Sequence, residues 1–172
     1  MSEGRKFEPV VSAAHLAAGA MPALSEIEYA MTVMHHSFER WMVRCMAAAG
    51  IPGLQPTAVH ILHAVNHRNR EKTLSELCMM FNIEDVHVVS YALKKLAALG
   101  LVTTARRGKE KTAKATEKGM EACRRYHEVR EALLIESVKR LRLDEAALSE
   151  IAATMRIISG QYDQAARSAT SL

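Results

Sequence analysis

Residues 73–119 read TLSELCMMFNIEDVHVVSYALKKLAALGLVTTARRGKEKTAKATEKG. Thr73 followed three residues later by Glu76 forms a capping-box pattern, in which hydroxyl and carboxylate each take a backbone N–H that the first helical turn leaves unpaired. Leu74, Leu77, Cys78 and Phe81 fall on the inward side of that short helix, and Asn82 and Ile83 make a turn. A second helix is expected over about 84–99. Its apolar stripe is Val86, Val89, Leu93 and Leu96, and His87, Val88, Tyr91, Lys94 and Lys95 face solvent. Gly100 suits a left-handed helix end, followed by the hydrophobic Leu101 that such ends carry. Residues 101–106 and 111–115 then read as two short basic strands turning over 107–110.

On the N-terminal side, Ser25 and Glu28 repeat the capping-box pattern, flanked by Leu24 and Tyr29 as a hydrophobic staple. Ile27, Met31, Met34, Phe38, Trp41, Met42 and Cys45 follow at three- and four-residue steps, predicting a helix over 25–50. Pro56 suits the first position of the next helix, where a missing N–H costs nothing. Val59, Ile61, Leu62 and Val65 give that helix its buried face. Residues 67–72 read as a polar connection with a minimal strand before Thr73. Further on, Thr116 caps a helix running to about Arg142, with Gly119 a small cost in its first turn. A last helix begins at Asp144, sets Leu148, Ile151, Met155 and Ile158 on one face, and runs past Gly160 to about Arg167. Residues 10–21 read as a short Ala-rich helix in an N-terminal arm.

The 172 residues carry a net charge of +4, and its placement says more than its size. Residues 1–70 hold six Lys/Arg against five Asp/Glu, residues 126–172 six against seven, and residues 71–125 eleven against seven. The surplus therefore sits in the opening stretch, where a basic patch favours phosphate partners. Cys45, Cys78 and Cys123 form no CxxC pair, which reads as reduced thiols in a cytoplasmic protein. No apolar run approaches the ~20 residues a membrane span requires. His60, His63 and His67 stand at i, i+3, i+7, a spacing that can bind metal but more often makes a polar edge. His35 and His36, being adjacent, are expected to face different sides of their helix. No nucleophile triad, phosphate loop or carboxylate pair emerges, so neither an enzyme nor a cofactor or metal is expected.

Four helices, a basic hairpin and two more helices, in that order, resemble the MarR (multiple-antibiotic-resistance regulator) family of dimeric winged helix-turn-helix transcription regulators. The resemblance covers residues 25–168. It rests on Thr73-Leu74-Ser75-Glu76-Leu77 opening the third helix, on Leu96-Ala97-Ala98-Leu99-Gly100-Leu101-Val102 entering the hairpin, and on Thr116-Glu117-Lys118-Gly119 leaving it. Two departures are visible: the hairpin lacks the family's Asp-x-Arg brace, and the second helix begins on Glu84 and Asp85.

The resemblance implies a mainly α fold with a small β-hairpin wing, in which a winged helix-turn-helix domain is flanked by dimerisation helices. Residues 1–24 would be an arm, and 25–172 one regulator domain. Within it, 54–119 would be the DNA-binding lobe, with 25–50 and 120–168 the dimerisation helices. The expected partner is double-stranded DNA with a pseudo-palindromic site, half-sites about 10 bp apart, read by a homodimer. His87 and Tyr91 would bond bases and Val88 would touch a thymine methyl, with Lys94 and Lys95 on the backbone. Thr73 and Ser75 would hold a phosphate, and Arg106, Arg107, Lys109 and Lys111 would form the wing contact. Family members often bind small phenolic or other aromatic acids between the dimer helices and the winged domain. Here His35, His36, Trp41, Arg44 and His63 would line that cavity, Arg44 meeting a carboxylate. Oxidant-sensing relatives make Cys45, beside Arg44, a candidate reactive thiol. The acidic start of the second helix and the short wing leave open an alternative, a winged-helix module that binds protein rather than specific DNA.

Overall fold

Both helices of the opening stretch form in the computed structural model, which describes residues 8–172; residues 1–7 of the expected arm lie outside the described residues. Thr73 Oγ1 accepts the Glu76 N–H at 3.1 Å and Glu76 Oε2 accepts the Thr73 N–H at 2.7 Å, completing the capping box. The chain divides into two compact units, Met1–Val129 and Arg130–Leu172.

The first unit runs α1 (Pro22–Ala48), α2 (Pro56–Asn66), β1 (Lys72–Thr73), α3 (Leu74–Met80), α4 (Val86–Ala98), β2 (Val102–Arg107), β3 (Glu110–Ala115) and α5 (Glu117–Arg130). Its core joins Met42 and Met46 of α1, Val59, Ile61, Leu62 and Val65 of α2, Leu77 of α3, Val89, Leu93 and Leu96 of α4, and Leu101. Leu74, Cys78 and Phe81 pack against it half-buried, so the inward face of α3 forms as expected.

α4 starts at Val86, two residues later than expected, because Asp85 takes the cap and accepts the His87 N–H at 2.8 Å. Val86 is then the first helical residue and stays exposed, while Ala92 joins the buried stripe. The helix ends in a Schellman motif. Leu101 N–H reaches Leu96 O and Gly100 N–H reaches Ala97 O, each at 2.9 Å, with Gly100 at φ 70°. That geometry satisfies two terminal carbonyls and drives Leu101 into the core.

α1 ends beside Gly50 as expected but departs from its expectation at its start. It begins at Pro22, whose missing N–H suits a first turn, so Ser25 lies inside the helix. Ser25 Oγ instead donates to Leu16 O at 2.7 Å, fastening the 3-10 turn Ala14–Ala17, the only helical turn in residues 10–21. Met42 and Cys45 are buried and Trp41 half-buried, but Ile27, Met31, Met34 and Phe38 are exposed. Length explains this. At 1.5 Å per residue α1 spans about 40 Å, and its neighbour α2 only about 16 Å.

The sheet is antiparallel in the order β1-β3-β2. β2 and β3 pair from Val102↔Ala115 to Arg107↔Glu110 across the two-residue turn Gly108-Lys109. Gly108, at φ 65°, occupies the first turn position, where a type II′ turn needs glycine.

In the second unit the chain forms a π-helical turn at Glu131–Ile135 and a short α6 (Glu136–Lys139). Helical structure thus continues to Lys139, close to the expected end at about Arg142, and Arg142 itself turns left-handed at φ 51°. Asp144 caps α7 (Glu145–Ala169) by accepting the Ala146 N–H at 3.0 Å. No described residue of this unit is buried, and Leu133, Leu141, Ile151 and Ile157 are all more than half exposed. Among the described residues no helix is long and apolar enough to cross a membrane.

Candidate nucleic-acid interface

Burial of Val89, Ala92, Leu93 and Leu96 fixes the roll of α4 and turns His87, Val88, Tyr91, Lys94 and Lys95 outward. Tyr91 is 69% exposed, so its ring and hydroxyl are open to a partner. Asp85, His87, Val88, Tyr91, Ala92 and Lys95 form one wall of a groove of about 500 Å³, and Gly53, Gln55, Thr57 and Ala58 at the start of α2 form the other.

The hairpin carries its charge in a distinctive register. Arg106 stands directly opposite Lys111, and Arg107 opposite Glu110. Like charges across a strand pair destabilise it. Among the described residues, none of Lys94, Lys95, Arg106, Arg107, Lys109 or Lys111 makes an ion pair. The wing is nevertheless tied down, because Ser75 Oγ donates to Glu110 Oε1 at 2.5 Å and Thr112 Oγ1 donates to Glu71 Oε1 at 2.5 Å. These contacts do the bracing for which the sequence offers no Asp-x-Arg. Glu110, the one acid at a basic tip, was the available signal.

The two hydroxyls expected at phosphate are therefore engaged inside the fold. Thr73 is buried in its cap, and Ser75 holds Glu110. Glu76 is held below the ordinary carboxyl range by the Thr73 N–H, with Arg70 at 3.1 Å and Arg107 adding positive charge.

The Thr116–Gly119 motif seats α5 on the end of α4. Thr116 Oγ1 donates to Gly100 O at 2.7 Å and accepts the Gly119 N–H at 3.0 Å, while Lys118 Nζ donates to Leu99 O at 2.8 Å. Gly119 approaches Leu101 too closely for a side chain, which is the reason a helix tolerates glycine there.

The residues expected around an aromatic acid occupy different settings. Trp41 is half-buried against the core and Arg44 is exposed. His63 lies edge-on to Tyr126 with ring centres 4.5 Å apart, its Nε2 buried without a hydrogen bond. His35 and His36 do not face apart. Their rings lie 5.5 Å from each other, beside Glu39. The His60, His63, His67 row is also split, since His60 sits between Phe38 and Phe81 and His67 is exposed in a 3-10 turn. Burial pushes the His60 and His63 imidazoles below their usual pKa. Cys45 is buried with its thiol donating to Tyr126 O, and burial pushes the Cys123 thiol up to about 11.

Residues 54–119, from the loop before α2 to the first turn of α5, match the family model of the winged helix DNA-binding domain. The chain carries a winged helix domain with the MarR-type fold. A mutant MarR from E. coli complexed with operator DNA shares 12% identity at TM-score 0.64, over 82% of this chain and 99% of that one. MepR from S. aureus in complex with DNA shares 13% at 0.62, over 79% and 97%. A MarR transcriptional regulator from Methanosarcina mazei Go1 shares 16% at 0.63, over 80% and 96%. No curated relative matches the chain by sequence. In this MarR-type fold α4 is the second helix of the helix-turn-helix, and β2–β3 is the wing.

Proposed function

We propose that the protein is a homodimeric, sequence-specific DNA-binding transcription regulator. One observation carries the reading: α4 turns His87, Val88, Tyr91, Lys94 and Lys95 to one exposed face, alongside a wing whose Arg106 and Lys111 face each other unneutralised. A stability-lowering cation pair on an exposed hairpin is what a polyanion would relieve. In this reading the start of α4 enters the major groove, His87 and Tyr91 bond base edges, and Val88 meets a thymine methyl. Lys94 and Lys95 hold the backbone, as do Arg106, Arg107, Lys109 and Lys111 from the wing. The acid at the start of α4 is accounted for by the fold, since Asp85 is its cap. That accounts for Asp85, one of the features on which the alternative of a protein-binding module rests.

Homodimerisation is supported by the apolar surface left over in each unit. α1 exposes Met31, Val33, Met34 and Phe38, and the second unit buries nothing on its own. Exposed apolar area of that extent marks an interaction surface. Two copies would present two reading helices to a pseudo-palindrome. A small aromatic acid is the proposed releasing ligand, near Trp41, Arg44 and His63, where the buried and unpaired His63 Nε2 supplies a polar group.

Selection of bound fragments from a genome tests the function. The reading expects one enriched pseudo-palindromic motif for the parent protein and an altered motif for Tyr91→Ala. Recovery of fragments without any shared motif would overturn sequence-specific binding.

A further inference from the structure

We propose that His35, His36 and Glu39 on α1 form a binding site for a borderline divalent transition-metal ion of the zinc type. Glu39 stands four residues after His35 and three after His36, so both imidazoles reach the same carboxylate one helical turn on. The structure places a ligand atom of each residue within 4.8 Å of the other two. His35 Nε2 lies 3.5 Å from Glu39 Oε1. With bonds of about 2.0–2.2 Å, a four-coordinate zinc holds its donors roughly 3.4 Å apart, so that pair already stands at ligating distance. His36, exposed on the same helix, has a ring nitrogen within 4.8 Å of both.

Two imidazoles and one carboxylate suit zinc, nickel or cobalt over calcium and magnesium, which prefer all-oxygen sets. Three protein donors leave at least one position for water or an added ligand. Glu39 also faces α2, where His60 feels the charges of both Glu39 and His35. That ring is held between Phe38 and Phe81, with centres 5.8 and 5.3 Å away. The competing row is split, His67 being exposed in its own turn, so the α1 cluster is the one the geometry brings together. The site is independent of the DNA-binding reading and is tested without DNA.

The test is a competition titration of untagged full-length protein with Zn²⁺ against a chromophoric chelator, with Co²⁺ absorption as a second readout. The expected result is one equivalent per chain with d–d bands typical of low coordination number. Loss of an outer-shell partner alone costs 10–100-fold in affinity, so His36→Ala and Glu39→Gln should each weaken binding by at least about tenfold. His67→Ala should leave it unchanged. All three residues are exposed or half-exposed on helix or turn surfaces, so circular dichroism should show each variant folded. Absence of saturable binding, or full binding retained by the His36→Ala/Glu39→Gln double variant, would overturn the proposal.

Discussion

A side chain at Gly119 would begin 2.1 Å from the carbonyl oxygen of Leu101. That oxygen also accepts the Thr116 N–H at 3.1 Å, so the start of α5 is pressed onto the chain entering the wing. The approach is between two backbones, and neither can swing away as a flexible side chain can. Gly119→Ala should therefore destabilise the protein by about 1–3 kcal/mol, the usual cost of overpacking, instead of giving the gain expected of glycine to alanine in a helix. Urea unfolding monitored by circular dichroism checks it. A more stable variant would show that the contact relaxes freely.

The cap of α3 gives a second expectation. Thr73→Ala removes the acceptor for the Glu76 N–H and should cost about 1 kcal/mol, within the range for helix caps. Thr73→Ser keeps the oxygen and should recover most of that loss in the same unfolding measurement.

Acid should weaken the fold through two histidines. Burial lowers the folded-state pKa of His60 and His63 below 6.5, their ordinary value. The unfolded chain then binds protons more readily, so the stability contributed by these neutral rings is present above pH 6.5. It is lost as pH falls through the lowered folded values. Unfolding midpoints measured from pH 7.5 downward should fall, and His63→Phe, which keeps a ring against Tyr126, should flatten the decline. An unchanged slope in that variant would remove His63 from the account.

Thiol reactivity should be sorted by burial. Cys45 is buried, the Cys123 thiol is pushed up to about 11, and Cys78 is half-buried on α3. Alkylation of the native protein at pH 8 should label Cys78 first, with Cys45 and Cys123 reacting only on unfolding. Fast native labelling of Cys45 would revive an oxidant-sensing role for it.

Legibility in the sequence followed the range of the interactions involved. The Thr73 capping box, the Gly100 helix end and the stripe of Leu93 and Leu96 depend on neighbours within one or two turns, and each forms as read. Ser25 carries the same local capping pattern yet is drawn inside α1 by a bond to Leu16, and Pro22 offers the better start. Within the site, the outward set on α4 was legible because its stripe fixes the helix roll. The engagement of Ser75 by Glu110 was not, since 35 residues separate them. His35 and His36 were misread because adjacency suggests divergence, whereas both reach Glu39 one turn on. The stripe of α1 named a helix correctly but not what covers it, which depends on the shorter α2.

The central claim is that α4 and the wing grip DNA through charge and base contacts together. Its most direct test is the salt dependence of affinity for genomic duplexes, measured for the parent protein and for an Arg106→Ala/Arg107→Ala variant. The account predicts that log K falls linearly with log salt for the parent. The double variant should bind all duplexes more weakly, with a slope shallower by about 2. Binding indifferent to salt, no binding at low salt, or an unchanged slope in the variant would contradict it.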